Sequence, residues 1–226
     1  MTLRRGESLL LTIGIPVVLL VFFSSVHVLP AGRHPITFLA PGIIALAIMS
    51  TSLVNLSIAT GFERGYGVLK RLGSTPLARP TLLAAKVAAV LVVELAQILV
   101  LVVTAYALGW RMSADAGAAV AVVLLGTAGF GGIGLLMAGT LRAELNLAAS
   151  NGLWLLLLLV SGMLVPIDRL PHWLADVARV LPSAALASAL HRSLGLGTAV
   201  GLDSWVVLTA WAAGAAAAAV AAFRWE

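Results

Sequence analysis

Cysteine does not occur in the chain. That excludes a disulfide framework, a thiolate nucleophile and any cysteine-held metal. Charge is nearly as scarce: Asp, Glu, Lys and Arg make up 10% of the 226 residues, where a soluble domain carries roughly a quarter. With 61% of residues apolar and a mean hydropathy of +1.08, too little polar surface remains to wrap a soluble globule. Composition leaves one membrane domain and no room for a sizeable soluble one. Chemical motifs are missing as well. No GxxxxGK[ST] run occurs, so ATP is not hydrolysed through a P-loop on this chain, and neither HExxH nor GxSxG is present. The four histidines, His27, His34, His172 and His191, are scattered, so no catalytic residue and no metal site is expected. The net charge of +5 comes from basic residues spread over the connections, as membrane topology requires, and does not point to nucleic acid.

What the chain has is long apolar runs. A helix needs about 20 mostly apolar residues to cross the hydrocarbon. Six segments qualify: roughly 8–29, 38–61, 82–110, 116–141, 147–165 and 204–223. The first lacks a small-residue cleavage site after a short core and reads as a retained span. With the N-terminus in the cytosol, Arg4, Arg5, Arg64, Lys70, Arg71, Arg79, Lys86, Arg142 and Arg224 fall inside. Only Arg33, Arg111, Arg169, Arg179 and Arg192 fall outside, so the excess of positive charge supports that orientation. Both termini are then cytoplasmic, and 62–80, FERGYGVLKRLGSTPLARP, is the one substantial cytosolic loop.

The other long connection, 166–203, places Trp173, Leu174, Val177, Val180 and Leu181 on one helical face. Leu186, Leu190 and Leu194 repeat the pattern after Pro182 and Ser183. Two short amphipathic helices broken by proline suit an interfacial or re-entrant hairpin on the outer side. Within the spans, Glu94 is the clear intramembrane charge, with Gln97 three residues on, and Lys86 can snorkel to the cytosolic interface. Glu94 reads either as a helix-packing group or as a proton or substrate site. Thr51, Ser52 and Asn55 on the second span, and Asn146, Ser150 and Asn151 near the fifth, should look away from lipid. They either line a path or bond neighbouring helices. On the sixth span Ala210, Gly214, Ala218 and Ala222 form a small-residue stripe expected to pack. The glycines of the fourth span, Gly126 to Gly134, fit either tight packing or local distortion.

In the loop, Gly61 and Phe62 read as the end of the second span, and Pro76 and Pro80 precede the third. GYGVLKRLG can form about two helical turns, with Val68, Leu69 and Leu72 apolar at helical spacing. So short a helix is unstable alone in water and needs a surface, either headgroups or a partner protein. Holding the loop inside explains Lys70 and Arg71, but not Glu63, the paired glycines or the apolar positions.

The stretch FLAPGIIALAIMSTSLVNLSIATGFERGYGVLKRLGSTPLARPTLLAAK resembles the signature region of ABC transporter permeases of the type-2 superfamily. These are membrane subunits of daunorubicin-resistance-like drug, lipid and polysaccharide exporters. The matching positions are Glu63, Arg64, Gly67, Leu69, Leu72, Thr75, Pro76 and Leu77, with Lys86 opening the next helix. SGMLVPIDRLPHWLADVARVLPSAALASALHRSL resembles the family's outer segment before its last helix. The resemblance implies an all-α fold of six transmembrane helices, with a short cytosolic coupling helix and an outer re-entrant hairpin. It implies a permease subunit of an ATP-driven exporter in the cell membrane, of the bacterial inner-membrane type, acting as a homodimer surrounded by lipid. It places the path between the two copies, flanked by the spans bearing Thr51, Ser52, Asn55, Asn146, Ser150 and Asn151. Coupling would run through Glu63, Arg64, Gly67, Leu69, Lys70, Arg71, Leu72, Thr75 and Pro76 to a separate P-loop ATPase present in two copies. No cofactor is expected on this chain; ATP and Mg would bind the partner. The family usually begins with an amphipathic surface helix. Here only MTLRRGE precedes the first span, so that element is curtailed or the start lies upstream. The competing reading is an ion-coupled secondary carrier using Glu94.

Overall fold

The computed structural model describes residues 2–25, 35–73, 78–111, 115–163, 167 and 170–223. Every regular element among them is helical. Helix α1 runs Thr2–Ser25. Helix α2, Pro35–Met49, continues through a π-helical stretch, Ser50–Asn55, into α3, Leu56–Gly65, so that Ile36–Gly65 is one 30-residue span. Then come α4, Val68–Gly73; α5, Arg79–Ala107; α6, Ala116–Thr140; and α7, Ala143–Val160. Helices α8, His172–Arg179, and α9, Pro182–Leu190 with a further π turn His191–Leu196, precede α10, Leu202–Ala222. Among the described residues five helices are long and apolar enough to cross a membrane, the bent pair α8 and α9 makes a sixth candidate, and α1 adds a shorter apolar stretch, Thr12–Ser25. The chain is an all-α polytopic membrane protein. The far end of the expected first span, 8–29, lies outside the described residues.

Helix α2 forms the centre. It is apolar on all sides, and Leu39, Ile43, Ile44 and Ile48 are fully buried, as expected of a helix with no polar face to show. Helices α5 and α7 lie at the periphery and expose leucine and valine along most of their length, as lipid-facing or subunit-facing helices do. Helices α6 and α10 run parallel and nearly touch: Gly129 abuts Ala212, Gly132 abuts Ala215 and Gly139 abuts Phe223. The glycines of α6 therefore serve tight packing in an undistorted helix. The stripe expected on α10 is corrected. Its buried face is Ser204, Leu208, Ala212, Ala215 and Ala219, while Ala210 and Gly214 are exposed. An alanine-rich helix offers several equivalent small-residue faces, and the glycines of the facing helix select one.

The hairpin bends by 84° between α8 and α9. All of α9 except Ser188 is buried, so this is no surface loop. Trp211 Nε1 donates to the Val180 carbonyl at 3.0 Å. Trp211 lies nine residues past the start of α10, about 14 Å along it at 1.5 Å per residue. The indole thus ties the bend to the side of α10. A bent apolar pair of this kind is a broken span or a re-entrant hairpin.

The contacts also separate two ends of the bundle. At one end Lys86 pairs with Glu63, Arg64 Nη2 donates to the Leu141 carbonyl, and Phe223 meets Gly139. At the other, Asp115 N–H donates to the Ser193 carbonyl and His191 is wedged between Ala187 and Phe38.

Candidate functional site

The charged end begins on α3. The sequence reading ends this span at Gly61 and Phe62, but the helix continues to Gly65, so Glu63 and Arg64 belong to its last turn. Gly61 is not a terminator. A Cβ there would sit 2.6 Å from Asn146 Nδ2, so glycine admits α7. The chain reverses at Gly67, whose φ of +73° suits glycine and few other residues. Helix α4 follows. Its Leu69 is fully buried among Leu56, Leu82, Leu83, Leu135, Ala219 and Phe223. The surface that so short a helix requires is therefore supplied by its own bundle. Leu69 faces inward, while Tyr66, Val68, Lys70 and Arg71 are exposed. Burial of one leucine side chain contributes roughly 1.5–3 kcal/mol. Arg64, Lys70 and Arg142, with Glu144, border a recess of about 410 Å³ that Gly61, Gly65 and Gly67 also line. The side chain of Leu72, and residues Thr75 and Pro76, lie outside the described residues.

The six polar positions marked along the second and fifth spans divide among four places. Asn146 and Ser150 join Ser57 in a buried clamp between α3 and α7. Ser57 Oγ donates to Asn146 Oδ1 at 2.8 Å, Asn146 Nδ2 donates to the Ser57 carbonyl at 2.9 Å, and Ser150 Oγ donates to Ser57 Oγ at 2.9 Å. Ser52 bonds back to the Ile48 carbonyl inside the core. Asn151 is exposed and donates to the Leu147 carbonyl on its own helix. Thr51 and Asn55 border a cleft. Because Asn146 serves two buried groups at once, Asn146→Ala should cost about 1–3 kcal/mol by leaving them unpaired. Thermal unfolding of the detergent-solubilised protein measures this, with Asn151→Ala expected to show no loss.

That cleft, of about 610 Å³, lies between α1, the α2–α3 span and α5. Its walls are apolar, chiefly Leu56, Ile58, Ala89, Val90 and Val93, and Thr12, Thr51, Asn55 and Thr60 add hydroxyl and amide groups. At one end Lys86 Nζ donates to Glu63 Oε2; the lysine side chain is 15% exposed and the glutamate 43%. The sequence reading found Thr51, Asn55, Glu63 and Lys86 separately. Thr12 looks unremarkable in its apolar run and Thr60 is one of several hydroxyls dotting the second span; both enter the cleft only through the packing of α1 and α3.

Glu94 is buried deeper. Thr127 Oγ1 donates to its Oε2, and its Oε1 makes no hydrogen bond among the described residues. Nearby, Gln97 ties the π-helical stretch to α1: Thr51 Oγ1 donates to Gln97 Oε1 at 3.1 Å, and Gln97 Nε2 donates to the Thr12 carbonyl at 2.7 Å. Glu94 has no ion-pair partner among the described residues. Among the same residues, no three His, Asp or Glu side chains converge to hold a metal.

Long apolar helices around a buried central span, with cation-rich connections gathered at one end, define a polytopic membrane protein. The chain belongs to the ABC-2 type transporter family, whose model matches residues 1–194 and so takes in the charged end and most of the hairpin. It is a permease component of an ABC transporter. No curated protein matches the chain.

Proposed function

We propose that the chain is the transmembrane subunit of an ATP-driven exporter. It acts as a homodimer in the cell membrane, with the α4 end and both termini in the cytosol. The distribution of charge over the two ends carries this reading. Among residues whose side chains are described, the α4 end bears Arg64, Lys70, Arg71, Arg79, Lys86 and Arg142 against Glu63 and Glu144. The opposite end balances Arg111, Arg179 and Arg192 against Asp115, Asp176 and Asp203. Cation-rich connections stay on the cytosolic side, where ATP is available. A chain without a P-loop draws ATP hydrolysis from a partner, so two copies of a separate ATPase would bind ATP and Mg.

The geometry supports α4 as the contact. It is pinned by Leu69 and leaves Tyr66, Val68, Lys70 and Arg71 outward for the ATPase. Glu63–Lys86 joins α3 to α5, and Arg64 joins α3 to the α6–α7 turn. A push on α4 would thus reach α3, α5 and the α6–α7 turn. Co-expression with a P-loop ATPase tests this reading. The expected outcome is a purified complex that hydrolyses ATP and moves cargo out of the cytosol; a permease that transports with no ATPase bound would overturn it.

A second reading, an ion-coupled carrier, draws on the burial of Glu94 and its unbonded Oε1. Glu94→Gln keeps an acceptor for Thr127 and replaces the ionisable oxygen by an amide nitrogen that cannot titrate. ATP-driven transport is expected to be unchanged in this variant. Transport that follows a proton gradient without ATP and vanishes in Glu94→Gln would favour the carrier.

A further inference from the structure

We infer that the cleft between α1, the α2–α3 span and α5 binds a zwitterionic amphiphile, with its headgroup at Glu63 and Lys86 and its hydrocarbon along Val90 and Val93. The inference draws on this geometry alone and not on the ATPase.

Four observations converge. The cleft's volume of about 610 Å³ is that of a small-molecule site, where apolar walls surround a few placed polar groups. Its polarity is graded along α5. Lys86 and Glu63 mark one end, Glu63 lies in the last turn of α3 near headgroup depth, and Val93 is seven residues further in, about 10 Å at 1.5 Å per residue. The charged end presents one cation and one anion, so it repels neither half of a headgroup that carries both an amine and a phosphate. A purely anionic headgroup would meet the half-exposed Glu63 carboxylate, and a purely cationic one would meet Lys86. Finally, Thr60 borders the cleft, is fully buried, and its hydroxyl makes no hydrogen bond among the described residues. Buried hydroxyls are nearly always paired; one left over beside a cleft fits a group completed by a ligand.

In this arrangement the phosphate meets Lys86 Nζ and the amine meets Glu63 Oε1 or Oε2, so the ion pair opens around the headgroup. Because Glu63 belongs to the turn that leads into α4, occupancy of the cleft changes how α3 is tied to α5.

The test uses the full chain purified in a neutral sugar detergent, without ATP. Native mass spectrometry measures adducts with 1-palmitoyl lysophosphatidylethanolamine, with the anionic lysophosphatidylglycerol and with an uncharged monoacylglycerol. The zwitterionic probe is expected to bind about tenfold more tightly than either of the others. Ala89→Trp, which fills the cleft from an exposed wall position, and Lys86→Gln should each weaken it about tenfold. Thr60→Val keeps the shape of the side chain, removes the hydroxyl and should weaken binding several-fold. Equal binding of the three probes, preference for the anionic one, or undiminished binding in both Ala89→Trp and Thr60→Val would overturn the inference. A complex that hydrolyses ATP normally but fails these tests would leave the permease reading intact, and the converse result would leave the cleft intact.

Discussion

Leu69→Asp is expected to release α4 from the bundle and abolish ATP-driven transport while the membrane helices stay folded. Leu69 is fully buried in an apolar cluster built from α3, α5, α6, α10 and the residue after α10. Truncation of such a leucine to alanine costs about 2–5 kcal/mol. A carboxylate in its place would be an unpaired charge in an apolar site, which costs more. The long spans do not depend on that contact, but a six-residue helix does, since it cannot hold its shape alone. The least costly response is therefore local: α4 leaves the bundle and carries its aspartate into water. Limited proteolysis should cut the variant between α3 and α5 and spare the wild type, and reconstituted vesicles should show no ATP-driven transport. Val68→Asp, one position away on the exposed face, should leave α4 protected. Wild-type protease resistance together with wild-type transport in Leu69→Asp would show that α4 is not held by this residue.

Gly132→Leu is expected to prevent assembly of the bundle. A Cβ at Gly132 would lie 2.8 Å from the carbonyl carbon of Ala215 and 2.8 Å from the nitrogen of Ala216. Both are backbone atoms of α10 and cannot rotate away, so the helices must separate along their length. Overpacking a well-packed site typically costs 1–3 kcal/mol, and with backbone on the far side the loss should be at least about 3 kcal/mol. The matched control is Gly214, where an added Cβ meets nothing within 4 Å. Gly214→Ala removes a glycine from a helix interior and should be neutral or stabilising by up to about 1 kcal/mol. Yield of monodisperse protein and the midpoint of thermal unfolding in detergent distinguish the two. Equal stability of Gly132→Leu and Gly214→Ala would contradict the parallel α6–α10 contact.

Much of the architecture was legible in the sequence because hydrocarbon imposes a length. Four of the spans begin and end within a few residues of the apolar runs, and Pro182 marks the break in the hairpin. What was not legible depends on which faces meet. Gly61 looked like a stop and is a contact with Asn146; the choice needs α7 in place. The π-helical stretch 50–55 is concealed because its side chains are those of any hydroxyl-rich helix, and Ser50 Oγ and Ser52 Oγ bond back to their own helix. Glu63 and Lys86 stand out as charges, but their partnership across 23 residues comes from the antiparallel packing of α3 and α5. Leu69 was recognised as apolar and in need of a surface. That the surface is internal follows from Leu56 and Phe223, which arrive from distant parts of the chain.

The central claim, that the exposed face of the 62–80 segment meets an ATPase in the cytosol, can be tested by cross-linking, and the absence of cysteine makes an introduced thiol the one thiol of this chain. Tyr66 is 77% exposed beside α4, and Leu202 is 78% exposed at the opposite end, so reactivity alone does not favour either. In the co-purified complex, with a short thiol-to-amine reagent, Tyr66→Cys is expected to cross-link to the ATPase subunit and Leu202→Cys is not. Cross-linking from Leu202→Cys with none from Tyr66→Cys would place the ATPase at the other end of the bundle and contradict the account.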